Sequence, residues 1–150
     1  YLTHYGPVTV QDAAYFFGLP QRELLPLIES LSPREFVYEG KTFYRLDDIN
    51  IIGDLSCCRF LAGFDPLMLG YEKKQSVFLP PEYLRGIFSL SGIVMPPVLL
   101  HGSVAGRWKH SGKRLLITQF RPFSQEECGF AEAAAAQLWG EAVQPVFQDA

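Results

Sequence analysis

The sequence predicts an α+β protein: a winged helix followed by a small antiparallel, barrel-like β module that a C-terminal helix closes. Three observations carry this expectation. Two helix-period apolar segments joined at Gly18 lie between Thr9 and Leu31, an aromatic hairpin follows them, and three glycine-separated β segments precede an alanine-rich helix. With 150 residues, 48% of them hydrophobic and 19% charged, the chain can bury a core and is not of the disordered class. The expected organisation is a winged-helix module over 1–50, a connecting segment over 51–90 packed at the boundary, and a β module with its helix over 91–150.

The elements follow in order. Thr9 is placed to cap a helix, with Asp12 at its third position and Ala13, Phe16 and Phe17 on one apolar face; Gly18 ends it. Pro20 suits the first turn of a second helix, in which Leu24, Ile28 and Leu31 recur at i, i+4 and i+7. Pro26 inside that helix has no N–H to donate and predicts a kink or a short element. In "EFVYEGKTFYRL", Phe36 and Tyr38 alternate with their neighbours, as do Phe43 and Arg45 beyond a turn expected at Gly40-Lys41. This helix-turn-helix followed by a hairpin makes a winged helix that should run to about Asp48. The second helix carries Gln21 and Arg22 but also Glu23 and Glu29. Base edges and phosphates call for basic and amide side chains, so a packing role is favoured there over groove reading.

The connection is too apolar for a free linker, with Leu61, Phe64, Leu67, Met68, Leu69 and Tyr71, and Asp65-Pro66 puts a turn in its middle, capped by Asp65. Tyr83 to Phe88 suits one helical turn. From Gly92 the pattern becomes β: three strands in a meander, with turns expected at His101-Gly102 and Ser111-Gly112. Ser124 and Glu127 form a capping-box pair that opens a helix reaching about Trp139, with Cys128, Ala131, Ala135 and Leu138 on its buried face.

Charge is distributed unevenly. The formal net charge is -3, yet no Asp or Glu occurs between Glu82 and Glu126, where Arg85, Arg107, Lys109, Lys113, Arg114 and Arg121 all lie. Tyr1 to Leu55 holds four Lys/Arg against eight Asp/Glu, and after Gln125 come five acids and no Lys or Arg. Such asymmetry points to a polyanionic partner. In a strand, Arg107, Lys109 and Ser111 share one face while Trp108 and His110 take the other. Trp108 then anchors the core and leaves Arg107 and Lys109 in solvent, with Lys113 and Arg114 within reach beyond the turn. These four are the candidate DNA-binding residues, and Lys73, Lys74 and Arg22 are possible additional phosphate contacts. The bland reading of the same residues is a solvated sheet face blunted by lysine.

Other chemistry finds little support. Cys57, Cys58 and Cys128 lack metal-ligand spacing, and no nucleophile, base and orienting group occur together. No catalytic residue, metal or cofactor is expected. Odd cysteine number, no membrane-length apolar run and no secretory signal suit a cytoplasmic protein with no membrane association. The chain opens at Tyr1 in a helical pattern without methionine, as a piece of a longer protein would.

Two phrases carry a resemblance. "FLAGFDPLMLGY" holds Phe64, Asp65, Pro66, Leu69, Gly70 and Tyr71; "GIVMPPVLLHGSVAGRW" holds Gly92, Pro97, Val98, Leu99, Gly102, Gly106 and Trp108. Together they resemble the C-terminal part of the tandem winged-helix DNA-binding family that includes the AlkZ-like DNA glycosylases, over nearly the whole chain. "EKK", with Lys73 and Lys74, stands where that family often has an aspartate and an arginine. His101 replaces a common acidic residue and Arg107 a frequent threonine, and each change makes this copy more basic. The resemblance implies a protein of DNA repair that removes alkylated or crosslinked bases with a Q-x-Q or Q-x-D motif near the start of the full-length chain. Nothing here matches that motif, so any catalytic residues lie upstream of Tyr1. The expected partners are duplex DNA and the protein's own N-terminal domain. The alternative is a structural or protein-interaction module that packs on that domain without touching DNA.

Overall fold

The computed structural model describes residues 1–46, 57–140 and 142–150. The chain divides into two compact units, Tyr1–Ile52 with Pro66–Lys73, and Gly53–Asp65 with Lys74–Ala150. The segment expected as one connection over 51–90 thus contributes to both. Its residues 51–56, like the expected end of the first module at Asp48, lie outside the described residues.

The first unit opens with α1 (Leu2–Tyr5), followed by α2 (Val10–Phe17) and α3 (Gln21–Ser30). The cap of α2 is as expected: the Asp12 N–H donates to Thr9 Oγ1 at 3.1 Å, and Asp12 Oδ2 accepts from the Thr9 N–H at 2.8 Å. The other carboxylate oxygen, Oδ1, accepts the Glu72 N–H at 2.8 Å, so the buried Asp12 also ties Pro66–Lys73 to the helix. Thr9→Ala removes one half of this box and is expected to cost about 1 kcal/mol in urea unfolding. α3 runs through Pro26 instead of stopping short. Proline there forfeits one backbone bond, while buried Leu24 and Ile28 hold the helix against Leu2, Val8, Ala13 and Tyr44.

β1 (Arg34–Tyr38) and β2 (Lys41–Arg45) form the hairpin, and Phe36 stacks on Phe43 directly opposite at 5.6 Å. Tyr38 pairs with Lys41, which moves the turn one residue back to Glu39-Gly40, with φ of 50° and 72°. A two-residue turn with both φ positive places its glycine second, not first. A short α4 (Pro66–Leu69) then closes the described part of this unit, with Tyr71 Oη donating to the Tyr5 carbonyl at 2.6 Å.

The second unit is an open, mixed five-stranded sheet in the order β3-β4-β5-β6-β7, comprising Cys58–Phe60, Pro97–Leu100, Ser103–Ser111, Arg114–Gln119 and Gln144–Asp149. The three central strands form the expected meander. The barrel-like closure does not occur, because β3 and β7 stay at opposite ends of the sheet and one face is buried under α6 (Gln125–Trp139) instead of on itself. Nor is the sheet wholly antiparallel: β7 returns after α6 and runs parallel to β6. The turn expected at Ser111-Gly112 is Gly112-Lys113, since Ser111 pairs with Arg114. Between β4 and β5 the register passes from Val98↔Gly106 to Leu99↔Val104, leaving Ala105 as the extra residue of a bulge.

Ala131 and Ala135 of α6 are fully buried against Val98, Leu100, Leu115 and Ile117, as small residues on a helix close to a sheet should be. Leu138 is 57% exposed, contrary to expectation. At that end Trp139 takes the place on the sheet, its ring 5.3 Å from Phe60 and 5.1 Å from Trp108. A 3-10 turn (Pro81–Tyr83) leads into α5 (Leu84–Ile87), where one helical turn was expected. Among the described residues, no helix is long and apolar enough to cross a membrane.

Candidate nucleic-acid interface

The basic residues of β5 and β6 take their positions from strand alternation. Directly paired residues of antiparallel strands share a face. Trp108 and His110 turn toward α6: the His110 ring stacks 5.3 Å from Trp139, and Trp108 Nε1 donates to the Leu61 carbonyl at 2.8 Å. Arg107, Lys109 and Ser111 therefore face away from α6, and Arg114, opposite Ser111, faces with them. Lys113 occupies the turn. The structure thus brings all four candidate residues together on one hairpin, three of them on a single face.

Lys109, Lys113 and Arg114 are exposed, but Arg107 is half-buried. Its Nη1 donates to the Gly86 carbonyl at 3.4 Å. The sequence placed Arg107 in open solvent; α5 and the 3-10 turn before it cover that part of the sheet face, with the Tyr83 ring of the turn 5.1 Å from Phe120. A guanidinium has five N–H donors in a planar fork, so one carbonyl contact orients the group and leaves most of them unused. Among the described residues no carboxylate forms an ion pair with any of the four. The adjoining positions of β7 are Gln144, Val146 and Gln148, which add amides and no acid to this face. The Gln148 amide donates to Thr118 Oγ1 at 3.1 Å.

Arg121 and His101 of the acid-free stretch are both turned to a carboxylate instead. Arg121 grips Glu127 with both terminal nitrogens, at 2.6 and 2.9 Å, while the Ser124 N–H donates to the same carboxylate at 2.8 Å. The hydrogen bond from Arg121, followed by the Ser124 backbone bond and the nearby charges, brings the Glu127 carboxyl down to about 2 although burial opposes this. His101 Nε2 lies 3.5 Å from Glu127 Oε1. The histidine that made the turn look more basic thus sits beside a carboxylate and adds nothing to the face of Arg107 and Lys109. The Glu127 cap was legible in the sequence, whereas the grip of Arg121, six residues earlier, was not, because only the fold brings that side chain back.

The additional candidates are placed separately. Arg22 is exposed on α3 and the half-buried Lys73 ends the Pro66–Lys73 segment, both in the first unit; Lys74, exposed, begins the long segment of the second. The exposed side of α3 carries Leu27 at 59% exposure and its C-cap Leu31 is 53% exposed, an apolar surface where groove reading would need polar groups. Burial, reinforced by Cys57, pushes the Cys58 thiol up to about 12, so it stays protonated and is no nucleophile at neutral pH. Among the described residues no three His, Cys, Asp or Glu side chains are grouped to hold a metal ion.

Comparison with known proteins adds three findings. The family model described as "DNA glycosylase AlkZ-like" matches residues 1–142. A curated relative, "Interstrand DNA cross-link repair glycosylase" of Streptomyces sahachiroi, is 26% identical over 129 residues, covering 80% of this chain and 35% of its own length. The solved structure of Streptomyces sahachiroi DNA glycosylase AlkZ superposes with a TM-score of 0.77 over 97% of this chain and 42% of that one, at 22% identity. The likeness is therefore one of fold, and the chain spans about a third of the curated relative's length, 35%.

Proposed function

The chain belongs to the AlkZ-like family of DNA glycosylases, and from that premise we propose that it grips duplex DNA for a repair protein acting on alkylated or crosslinked bases. In this reading Arg107, Lys109, Lys113 and Arg114 contact the phosphate backbone, with Arg22, Lys73 and Lys74 as additional contacts. The observation that carries the reading is the hairpin face itself: cations without carboxylate partners among the described residues, flanked by amides. The two helices and hairpin of the first unit act as a winged helix whose second helix packs more than it reads. In this reading the chain holds the duplex and takes its own N-terminal domain as the other partner, and no base-excising residue is assigned within it.

The test is a fluorescence-anisotropy titration of the chain with a short duplex at several salt concentrations. Four neutralised phosphates give a log–log slope of about -3.6, a loss of about 150-fold between 50 and 200 mM salt. The quadruple variant R107A/K109A/K113A/R114A is expected to take that much off the slope, leaving only what Arg22, Lys73 and Lys74 contribute. An unchanged slope in the variant would sink the assignment of these residues.

A second reading has its own observation. An open apolar pocket of about 420 Å³ in the first unit is lined by Tyr1, Phe17, Leu24, Leu27, Ile28 and Leu31, among others. It suits a module that packs on another part of the protein and does not touch DNA, which the titration would reveal as no binding even at low salt.

A further inference from the structure

We infer that Leu90 is a wedge that enters the base stack of the duplex held by the basic hairpin, an inference that rests on the DNA-gripping role proposed above. Leu90 is 88% exposed, and Ile93 beside it is 50% exposed. Isolated exposed leucines are common, but the loop that carries this one is closed and tied. Phe88 and Val94 form an antiparallel bridge at its base, both buried. The Ser89 N–H donates to the Ile93 carbonyl at 2.9 Å, the Ile93 N–H donates to Ser89 Oγ at 2.9 Å, and the Gly92 N–H donates to the Ser89 carbonyl at 3.3 Å. The hydroxyls of Ser89 and Ser91 bond one another at 3.0 Å. Five residues are thus held in one conformation that keeps an apolar side chain in water.

Position supplies the second argument. The loop leaves the end of α5, whose Gly86 carbonyl receives the Arg107 guanidinium, so its root adjoins the basic face. α5 lies close on that same face at Gly86, where an added methyl would meet the Phe120 ring, and the turn before it packs Tyr83 on the same ring. The loop also lies inside the stretch from 83 to 125 that has no carboxylate, and it is flanked by the exposed Arg85. A leucine on a tied loop with small hydroxyl neighbours, rooted next to Arg107, has the makeup of side chains that prise adjacent stacked bases apart and kink a duplex. No bond is made or broken. The side chain exchanges water for base faces, and the cost of unstacking is met by backbone contacts.

The probe is a duplex with 2-aminopurine at every adenine of one strand, whose emission rises when its stacking is lost. At saturating protein the chain should raise the emission several-fold. Leu90→Ala, at a site too exposed to disturb folding, should cut that rise by at least about fivefold, and Leu90→Met should restore it. A duplex that binds with the expected salt slope but shows no rise, or an equal rise with Leu90→Ala, overturns the wedge and leaves the grip standing. No binding by the unaltered chain overturns the grip, and the wedge with it.

Discussion

Gly106→Ala is expected to destabilise the second unit by about 3 kcal/mol, at the upper end of overpacking penalties. A Cβ on Gly106 would lie 2.6 Å from the Thr118 carbonyl oxygen, which is backbone and has no rotamer to swing into. Relief by a shift of the strand is blocked on both sides, because β5 is paired with β4 at Val98 and with β6 at Gln119. The Ala105 bulge immediately before it fixes the path of the chain as well. The glycine of the phrase ending in Trp108 is therefore demanded by close strand approach. Gly129→Ala is the control: nothing lies within 4 Å of its added methyl, and replacing a glycine inside α6 should stabilise by up to about 1 kcal/mol. Thermal unfolding reads both, with the midpoint of Gly106→Ala lower by on the order of 10 °C. Equal midpoints for Gly106→Ala and the unaltered chain would refute the close approach.

The next largest effect is expected at Glu127, and it depends on pH. Its carboxyl lies at about 2 in the folded chain, against the usual carboxylate range in the unfolded one. A depressed carboxyl contributes stability that is complete above its unfolded value and is lost as pH falls through the folded one. Stability from this group should therefore drain away between about pH 5 and pH 2. Unscreened, that depression corresponds to about 3 kcal/mol; the Arg121 side chain is 42% exposed to solvent, and screening reduces the contribution to about 2 kcal/mol. Glu127→Gln should lower the urea midpoint at neutral pH, and the two proteins should converge near pH 2. Parallel curves across that range would remove the Arg121–Glu127 pair from the account of stability.

What was legible in the sequence was local. Both capping boxes, Thr9 with Asp12 and Ser124 with Glu127, rest on side chains three residues apart, and both form as written. The two-residue period of β5 separated Trp108 from Arg107 and Lys109 correctly, so the charged face could be drawn from the amino-acid order alone. Turns were harder. Glycine serves as the second residue of Glu39-Gly40 and the first of Gly112-Lys113, and composition does not tell these apart. β3 is three residues long, and β7 carries Pro145, which argues against a central strand and is tolerated here only because β7 is an edge. The cover of α5 over Arg107 and the return of Arg121 to Glu127 are tertiary facts with no local spacing to betray them.

The parallel return of β7 has a mechanical consequence. β6 is bonded along its whole length to β5 on one side and to β7 on the other, and the Gln144 N–H reaches the Lys113 carbonyl at 3.0 Å, so this lateral support extends to the tip of the turn. A free two-stranded ribbon bends easily about its long axis; a strand clamped from both sides does not. The cations are mounted on a stiff plate whose backbone spacing is fixed, so when a partner arrives their side chains must be ordered but the strands that carry them need not be. Contact between a stiff body and a compliant one is accommodated by the compliant one. A duplex pressed on this plate would have to curve to meet it, and the work of fitting would be stored in the DNA.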